Sequence, residues 1–362
     1  MQARLETLEF ESLAGWDDDD HLAALRAFER SARMLAAGRE SARPAQPTPP
    51  KLIATASAAL NASVPAERDP RRFFESRFRP FRVTPDDGAG FVTGYYEPCV
   101  PASLVETEEF RWPILARPPD LVTFPAGAAP AGFPRASGAR RLRDGSLVPY
   151  PDRAEIEAER HDPVVWLRDA VEAFLIQVQG SAQVEFPDGR RARLAYDGRN
   201  GLPYTSIGRI LIEAGAIPEP AMSLERLKSW LRTAGLDEGA PGLALMRRNR
   251  SFVFFRLAAD FDPALGPVAG AGVALTPLRS VAVDRTLWSY GLPFFIEAEL
   301  PWRSADPTPF TRLMIAQDTG SAIVGAARGD LFFGSGDEAG GRAGAIRHRA
   351  AFTVLLPVGE GP

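Results

Sequence analysis

The 362-residue chain holds one cysteine and three histidines. That leaves almost no material for zinc sites, disulfides or His-dependent triads. An enzyme of this composition is expected to work with carboxylates, without metal or cofactor. Charge of one sign is also lacking. The 42 basic and 46 acidic residues are spread along the chain and give a formal charge of −4. Without a basic footprint, nucleic acid is not an expected partner. Long apolar runs are missing too: the longest uncharged run, Pro263 to Leu278, has 16 residues broken by Pro and Gly. It is too short and interrupted to span a bilayer, so no integral membrane segment is expected. The start, Met1-Gln2-Ala3-Arg4-Leu5-Glu6, carries charges where a signal peptide holds its apolar stretch, so no export signal is visible.

Glycine and proline, by contrast, are abundant, at 32 and 33 residues. This loading favours turns and short strands over long helices, hence a mainly β fold. The length suits about two domains of ~150 residues. Asp17-Asp18-Asp19-Asp20 ahead of Leu22, Leu25, Phe28 and Leu35 reads as the acidic start of a helix and not as a metal site. Arg43 to Lys51, with four prolines in nine residues, reads as a rigid connector. Phe91 to Pro98 reads as a strand, and the proline-rich stretch Trp112 to Pro151 as loops between short strands. The pattern further predicts a helix opening at Asp162-Pro163, a strand over 174–179, and a hairpin turning at Asp188-Gly189. Two helices are expected to be capped by Ser206 and Ser223 and closed by Gly215 and Gly235. Beyond Arg250 the short runs separated by turn residues read as strands of a barrel or sandwich. No internal repeat is present.

Single-residue candidates carry little. Cys99 lacks a nearby His in sequence and reads as a small, partly buried residue. His348, within Arg347-His348-Arg349, reads as a surface cation, and His161 as the residue ahead of a helix start. Gly334-Ser335-Gly336-Asp337-Glu338-Ala339-Gly340 lacks the Lys of a phosphate loop and reads as a tight turn beside a strand. Arg328-Gly329-Asp330 matches an adhesion tripeptide too short to mean anything. There remain carboxylates on loops beside strands, and an Asp next to Gly is in most cases a turn residue.

The segments Ile315-Ala316-Gln317-Asp318-Thr319-Gly320 and Arg328-Gly329-Asp330-Leu331-Phe332-Phe333-Gly334 resemble the C-terminal domain of the membrane-bound lytic murein transglycosylase A family. It is called the 3D domain after three shared aspartates, which fall on Asp284, Asp318 and Asp330. Gly94-Tyr95-Tyr96-Glu97-Pro98, Gln179-Gly180-Ser181, Tyr196 to Gly201, Tyr204 to Arg209 and Asn249 to Phe255 follow in the family's order. The resemblance implies a double-psi β-barrel catalytic domain formed by both chain ends, residues 1–104 and 268–362, with an N-terminal helical segment. A second β-barrel, residues 105–267, is inserted between them, and peptidoglycan is expected in the groove that the two frame. The implied activity is a lyase reaction, that of a peptidoglycan lytic exotransglycosylase. The β-1,4 bond between N-acetylmuramic acid and N-acetylglucosamine is cut without water, leaving 1,6-anhydromuramic ends.

The catalytic acid falls on Asp330, expected to be protonated through apolar neighbours such as Phe332 and Phe333. One carboxyl suffices if the sugar's own C6 hydroxyl attacks. Asp318 is expected to bind sugar hydroxyls or, like the supporting Asp284, to orient loops. Tyr95, Tyr96, Gln179, Ser181, Asn200 and Tyr204 suit saccharide binding, or equally barrel packing and turn formation. Ser321 replaces a family Gly. No lipid-anchoring cysteine is visible, although the family's location implies export to the periplasm or cell envelope, and a monomer is expected. The competing readings are a non-catalytic glycan-binding module and a conventional hydrolase pairing Asp330 with Asp318 or Glu338.

Overall fold

A computed structural model describes residues 3–61, 69–86, 88–124, 130, 133, 138–258, 262–320 and 322–360. Ser321 and part of the proline-rich stretch lie outside the described residues. The chain divides into two units, one of Met1–Tyr96 with Asp262–Pro362 and the other of Glu97–Phe261.

The chain begins the first unit with β1 (Ala3–Thr7), α1 (His21–Ala36), α2 (Pro50–Asn61), α3 (Pro70–Arg77), β2 (Phe78–Pro85) and β3 (Phe91–Glu97). The second unit opens with β4 (Cys99–Ser103), β5 (Trp112–Leu115), β6 (Leu121–Thr123), β7 (Gly138–Arg141), β8 (Leu147–Pro149) and α4 (Arg153–Ala158). It continues through β9 (Pro163–Leu167), α5 (Ala170–Gln179), β10 (Ser181–Glu185), β11 (Arg191–Arg199) and α6 (Ile207–Glu213). It closes with α7 (Leu224–Thr233), α8 (Pro241–Arg247) and β12 (Val253–Ala258). The return to the first unit supplies β13 (Ser280–Val283), β14 (Pro293–Leu300), β15 (Thr308–Asp318), β16 (Arg328–Ser335), α9 (Asp337–Gly344), β17 (Arg347–Arg349) and β18 (Ala351–Pro357). The fold is mainly β with a few helices, as expected.

The first unit is a nine-stranded sheet in the order β1-β2-β18-β14-β15-β13-β16-β3-β17. Strands β13 and β15 run parallel within it. The acidic run does start a helix: Asp20 caps α1 by accepting the Ala23 N–H, as an N-terminus prefers. Asp19 does something the sequence did not suggest. Its two oxygens receive Arg279 Nη1 and Nη2 at 2.8 Å each, and Asp19 Oδ2 also accepts the Leu313 N–H. Both partners of this pair are about 2% exposed. Gln317 adds a second tie, donating to Ala27 O and Ser31 Oγ of α1 while accepting from Ser280 Oγ. The helix is thus fixed against the strands that end at Asp318. Edge-to-face packing of Phe28 on Phe74 and Phe78, with ring centroids at 6.1 and 5.8 Å, fills the space on its other side.

The second unit has a six-stranded sheet, β12-β11-β10-β4-β9-β5, and a three-stranded one, β6-β7-β8. The β10–β11 hairpin pairs Glu185 with Arg191 across the Asp188-Gly189 turn, as predicted. Ser206 and Ser223 cap α6 and α7, also as predicted. Two predicted elements are overturned, and they form an exchange. Residues 174–179 belong to helix α5, and the segment after Asp162-Pro163 is strand β9. Helix α5 is apolar on opposite sides: Ala173 and Ile176 meet the sheet's core, whereas Val171, Phe174 and Leu175 meet α6, α7 and α8. A helix buried all round shows no amphipathic period and reads like a buried strand. Its real signals are Asp169, whose side chain accepts the Val171 N–H, and Gly180 at φ 85°. In β9, Val164-Val165-Trp166-Leu167 is β-branched and aromatic, and Pro163 stands at the first strand position, where its missing N–H costs least.

Cys99 is exposed at the start of β4 and not partly buried. His161 is packed against the Phe254 ring instead of leading a helix. The Gly334–Gly340 stretch is the end of β16 and the first turn of α9.

Candidate active site

The three aspartates lie on or beside adjacent strands of the first unit. In the β13–β16 pairing Ala282 faces Asp330, and in the parallel β13–β15 pairing the same Ala282 faces Asp318. At the ordinary interstrand spacing this sets the two Asp backbones about 10 Å apart. Asp284 follows β13, two residues along the same strand direction.

Their surroundings differ. Asp284 is buried, and both its oxygens are engaged: Oδ1 accepts the Thr286 N–H at 2.9 Å and the Thr286 hydroxyl at 2.7 Å, and Oδ2 accepts the Gly325 N–H at 2.8 Å. It ties the loop after β13 to the loop before β16, the loop-orienting role. Asp318 Oδ2 accepts the Tyr95 hydroxyl at 3.1 Å, and Oδ1 accepts the Gly270 N–H at 3.0 Å. A side chain at position 270 would not fit, because a Cβ there would stand 2.6 Å from the Tyr290 hydroxyl and 3.3 Å from Asp318 Oδ1. The proline-rich connector braces the same place. Arg43 donates to Thr319 O at 3.0 Å, and its backbone N–H to Gly270 O.

Asp330 is half-buried on β16, and only its Oδ1 is engaged, accepting the Thr93 hydroxyl of β3 at 2.6 Å. Among the described residues Oδ2 has no hydrogen-bond partner. Burial raises this carboxyl to about 6, against the opposing Thr93 hydrogen bond and Arg328 charge and with a contribution from the Asp318 charge. Strand alternation places Phe332 on the face of Asp330, and Tyr95 on the face of Thr93. The Tyr95 and Phe332 rings meet with centroids at 5.3 Å. Burial, then the charges of Asp318 and Asp330, push the Tyr95 phenol well up, so it stays a neutral donor. The apolar neighbour expected from sequence is therefore present in Phe332. Phe333 is buried on the alternate face.

The remaining expected residues are placed as follows. Tyr96 is 6% exposed, its ring against Gly340 of α9. The other four belong to the second unit. Asn200 is fully buried there, donating to Pro151 O and Arg250 O and accepting from the Leu202 and Phe252 N–H groups. Its amide is saturated by backbone, which is the turn-forming alternative. Ser181 is buried, Gln179 is half-buried at the end of α5, and Tyr204 is 41% exposed on the loop before α6. Glu97, from the Gly94–Pro98 motif, is buried and receives Arg193 in a bidentate pair at 2.7 and 3.0 Å.

Neither Thr93 nor Arg328 is among the site residues expected from the sequence. Their signal is spacing: each stands two residues from a predicted site residue on the same strand, Tyr95 and Asp330, and shares its face. Among the described residues no group of three His, Cys, Asp or Glu is placed to hold a metal ion.

One half-buried carboxyl with a raised pKa, one open oxygen and an aromatic flank can give a proton and take it back. The chain matches the MltA specific insert domain over residues 91–256 and the 3D domain over residues 279–356. It is 31% identical over 297 residues to the membrane-bound lytic murein transglycosylase A of Vibrio cholerae, covering 80% of this chain and 72% of that one. The structure of a membrane-bound lytic murein transglycosylase from Agrobacterium tumefaciens superposes with a TM-score of 0.86 at 35% identity, covering 98% and 97% of the two chains. Escherichia coli MltA with bound chitohexaose superposes at 0.69 with 26% identity, covering 99% and 95%. The chain belongs to the membrane-bound lytic murein transglycosylase A family.

Proposed function

We propose that this chain, a peptidoglycan lytic transglycosylase by family, cleaves the β-1,4 bond after N-acetylmuramic acid with Asp330 as its single acid and base. The observation that carries the reading is the contrast among the aspartates. Asp284 and Asp318 have both oxygens committed to N–H and O–H donors. Asp330 keeps an oxygen open, and its carboxyl is raised to about 6.

In this mechanism Asp330 protonates the glycosidic oxygen as the C1–O4 bond breaks and the electron pair leaves with the departing sugar. The C6 hydroxyl of the muramic residue attacks C1, and the Asp330 carboxylate takes its proton. The acid is regenerated, no water is consumed, and the product is a 1,6-anhydro end. A hydrolase needs a second carboxylate for water. Asp318 is a poor one, since it is held by Tyr95 and Gly270.

The first unit then carries catalysis, and the second contributes to glycan binding. Tyr95 and Tyr204 offer rings to sugars and Gln179 an amide. Chitohexaose, bound by the Escherichia coli relative, is a β-1,4-linked sugar chain and supports a glycan strand as the ligand. Among the described residues no helix is long and apolar enough to cross a membrane. The membrane-bound relatives support work in the cell envelope, and we further propose that the enzyme acts on the periplasmic side as a monomer.

Mass spectrometry of a peptidoglycan digest separates the three readings. Anhydro ends are expected; reducing ends would mean a hydrolase, and no new ends a binding module.

A further inference from the structure

Thr93 Oγ1 has two hydrogen-bond partners among the described residues, and their chemistry fixes the direction of both bonds. Arg328 Nη2 lies 2.8 Å from it, and Asp330 Oδ1 lies 2.6 Å from it. A guanidinium can only donate, so Thr93 accepts from Arg328. The threonine has one hydrogen, and among the described residues Asp330 Oδ1 is the only acceptor bonded to it. Thr93 therefore donates to Asp330 Oδ1, and that oxygen is held as an acceptor. A proton on Asp330 belongs on Oδ2.

Arg328 is itself held. Its Nη1 donates to Gly329 O, and its guanidinium lies 5.4 Å from the Phe91 ring centroid. Among the described residues it makes no direct ion pair with Asp330. The interposed hydroxyl matters, because an arginine in direct contact depresses a carboxyl by 1–3 units and leaves it a poor acid. The other charged or titratable groups facing Asp330 are Asp318 from β15 and Tyr95 from β3.

We propose that Thr93 is a positioning residue that, oriented by Arg328, pins Asp330 Oδ1 as an acceptor so that Oδ2 alone gives and retrieves the proton of the cleavage reaction. The proposal rests on the reading of Asp330 as the single acid and base. The proton leaves Oδ2 for the glycosidic oxygen and returns to Oδ2 from the C6 hydroxyl, so the cycle balances without a co-reactant. A carboxyl free to rotate would present its bare oxygen to the bond in a share of encounters.

The test is the pH profile of anhydro-product release for Thr93→Val and Thr93→Ser. Thr93→Val keeps the shape and removes the donor. It is expected to lower kcat about tenfold or more with little change in KM. The limb on which activity is lost with rising pH is expected to move upward by about one unit, since a hydrogen bond to the carboxylate is gone. Thr93→Ser keeps the hydroxyl and is expected to restore both kcat and the limb. A Thr93→Val enzyme with the parent kcat and limb would overturn the proposal, as would a Thr93→Ser enzyme as impaired as the valine variant. Should the valine variant not fold, Thr93→Ala is read in the same way. Asp330→Asn is assayed in parallel: if it is active, the reading of Asp330 fails, and if it is inactive while Thr93→Val is normal, only the positioning role fails.

Discussion

Asp318 and Asp330 face one residue, Ala282, from the two strands that flank it, β15 and β16. They are too far apart to share a proton, yet near enough for the Asp318 charge to raise the Asp330 carboxyl. Asp318 is thus a neighbour that holds Tyr95 and adds to the burial that keeps Asp330 protonatable. Asp318→Asn removes the charge and is expected to shift the high-pH limb of activity downward, opposite to Thr93→Val. A pH–rate profile checks the sign.

Asp330 also leaves a mark on stability. Its carboxyl stands at about 6 in the folded chain, against roughly 3.9 for an unfolded aspartate. The fold therefore disfavours the ionised form, and the stability that this site contributes is full below about pH 4 and lost as pH rises through about 6. The neutral isostere Asp330→Asn does not incur that loss. Denaturant unfolding is expected to show the variant more stable than the parent at pH 7.5, on the order of 2 kcal/mol, and equal to it at pH 4.

The Asp19–Arg279 pair is the buried tie between the start of α1 and the strands of the site. Removing one partner leaves an uncompensated buried charge, which costs roughly 3–5 kcal/mol. Asp19→Ala is expected to lower the unfolding free energy by that amount, whereas Asp17→Ala, at an exposed position, is expected to change it little. Thermal or denaturant unfolding of the two variants makes the comparison.

What could be read in the sequence follows from which signals are local. The Asp188-Gly189 hairpin and the Ser206 and Ser223 caps are written in a few adjacent residues, and they were legible. Helix α5 and strand β9 were exchanged because an apolar run buried on every side carries no period, and the informative residues, Asp169 and Gly180, stand outside it. Asp330 was legible through the family's motif. The network around it was not, since Thr93 lies 237 residues away in sequence. The Asp19–Arg279 pair spans 260. Such partners are set by strand order, which no local pattern states. The low cysteine and histidine count pointed toward carboxylate chemistry, and the proposed mechanism narrows that to one carboxyl, Asp330, whose Oδ1 alone is engaged among the described residues.

The most direct test of the single-acid, water-free account is digestion of peptidoglycan in ¹⁸O-labelled water, with new ends read by mass spectrometry. The account predicts 1,6-anhydromuramic ends carrying no ¹⁸O from the parent enzyme and no new ends from Asp330→Asn. Reducing ends labelled with ¹⁸O, or undiminished product from Asp330→Asn, would contradict it.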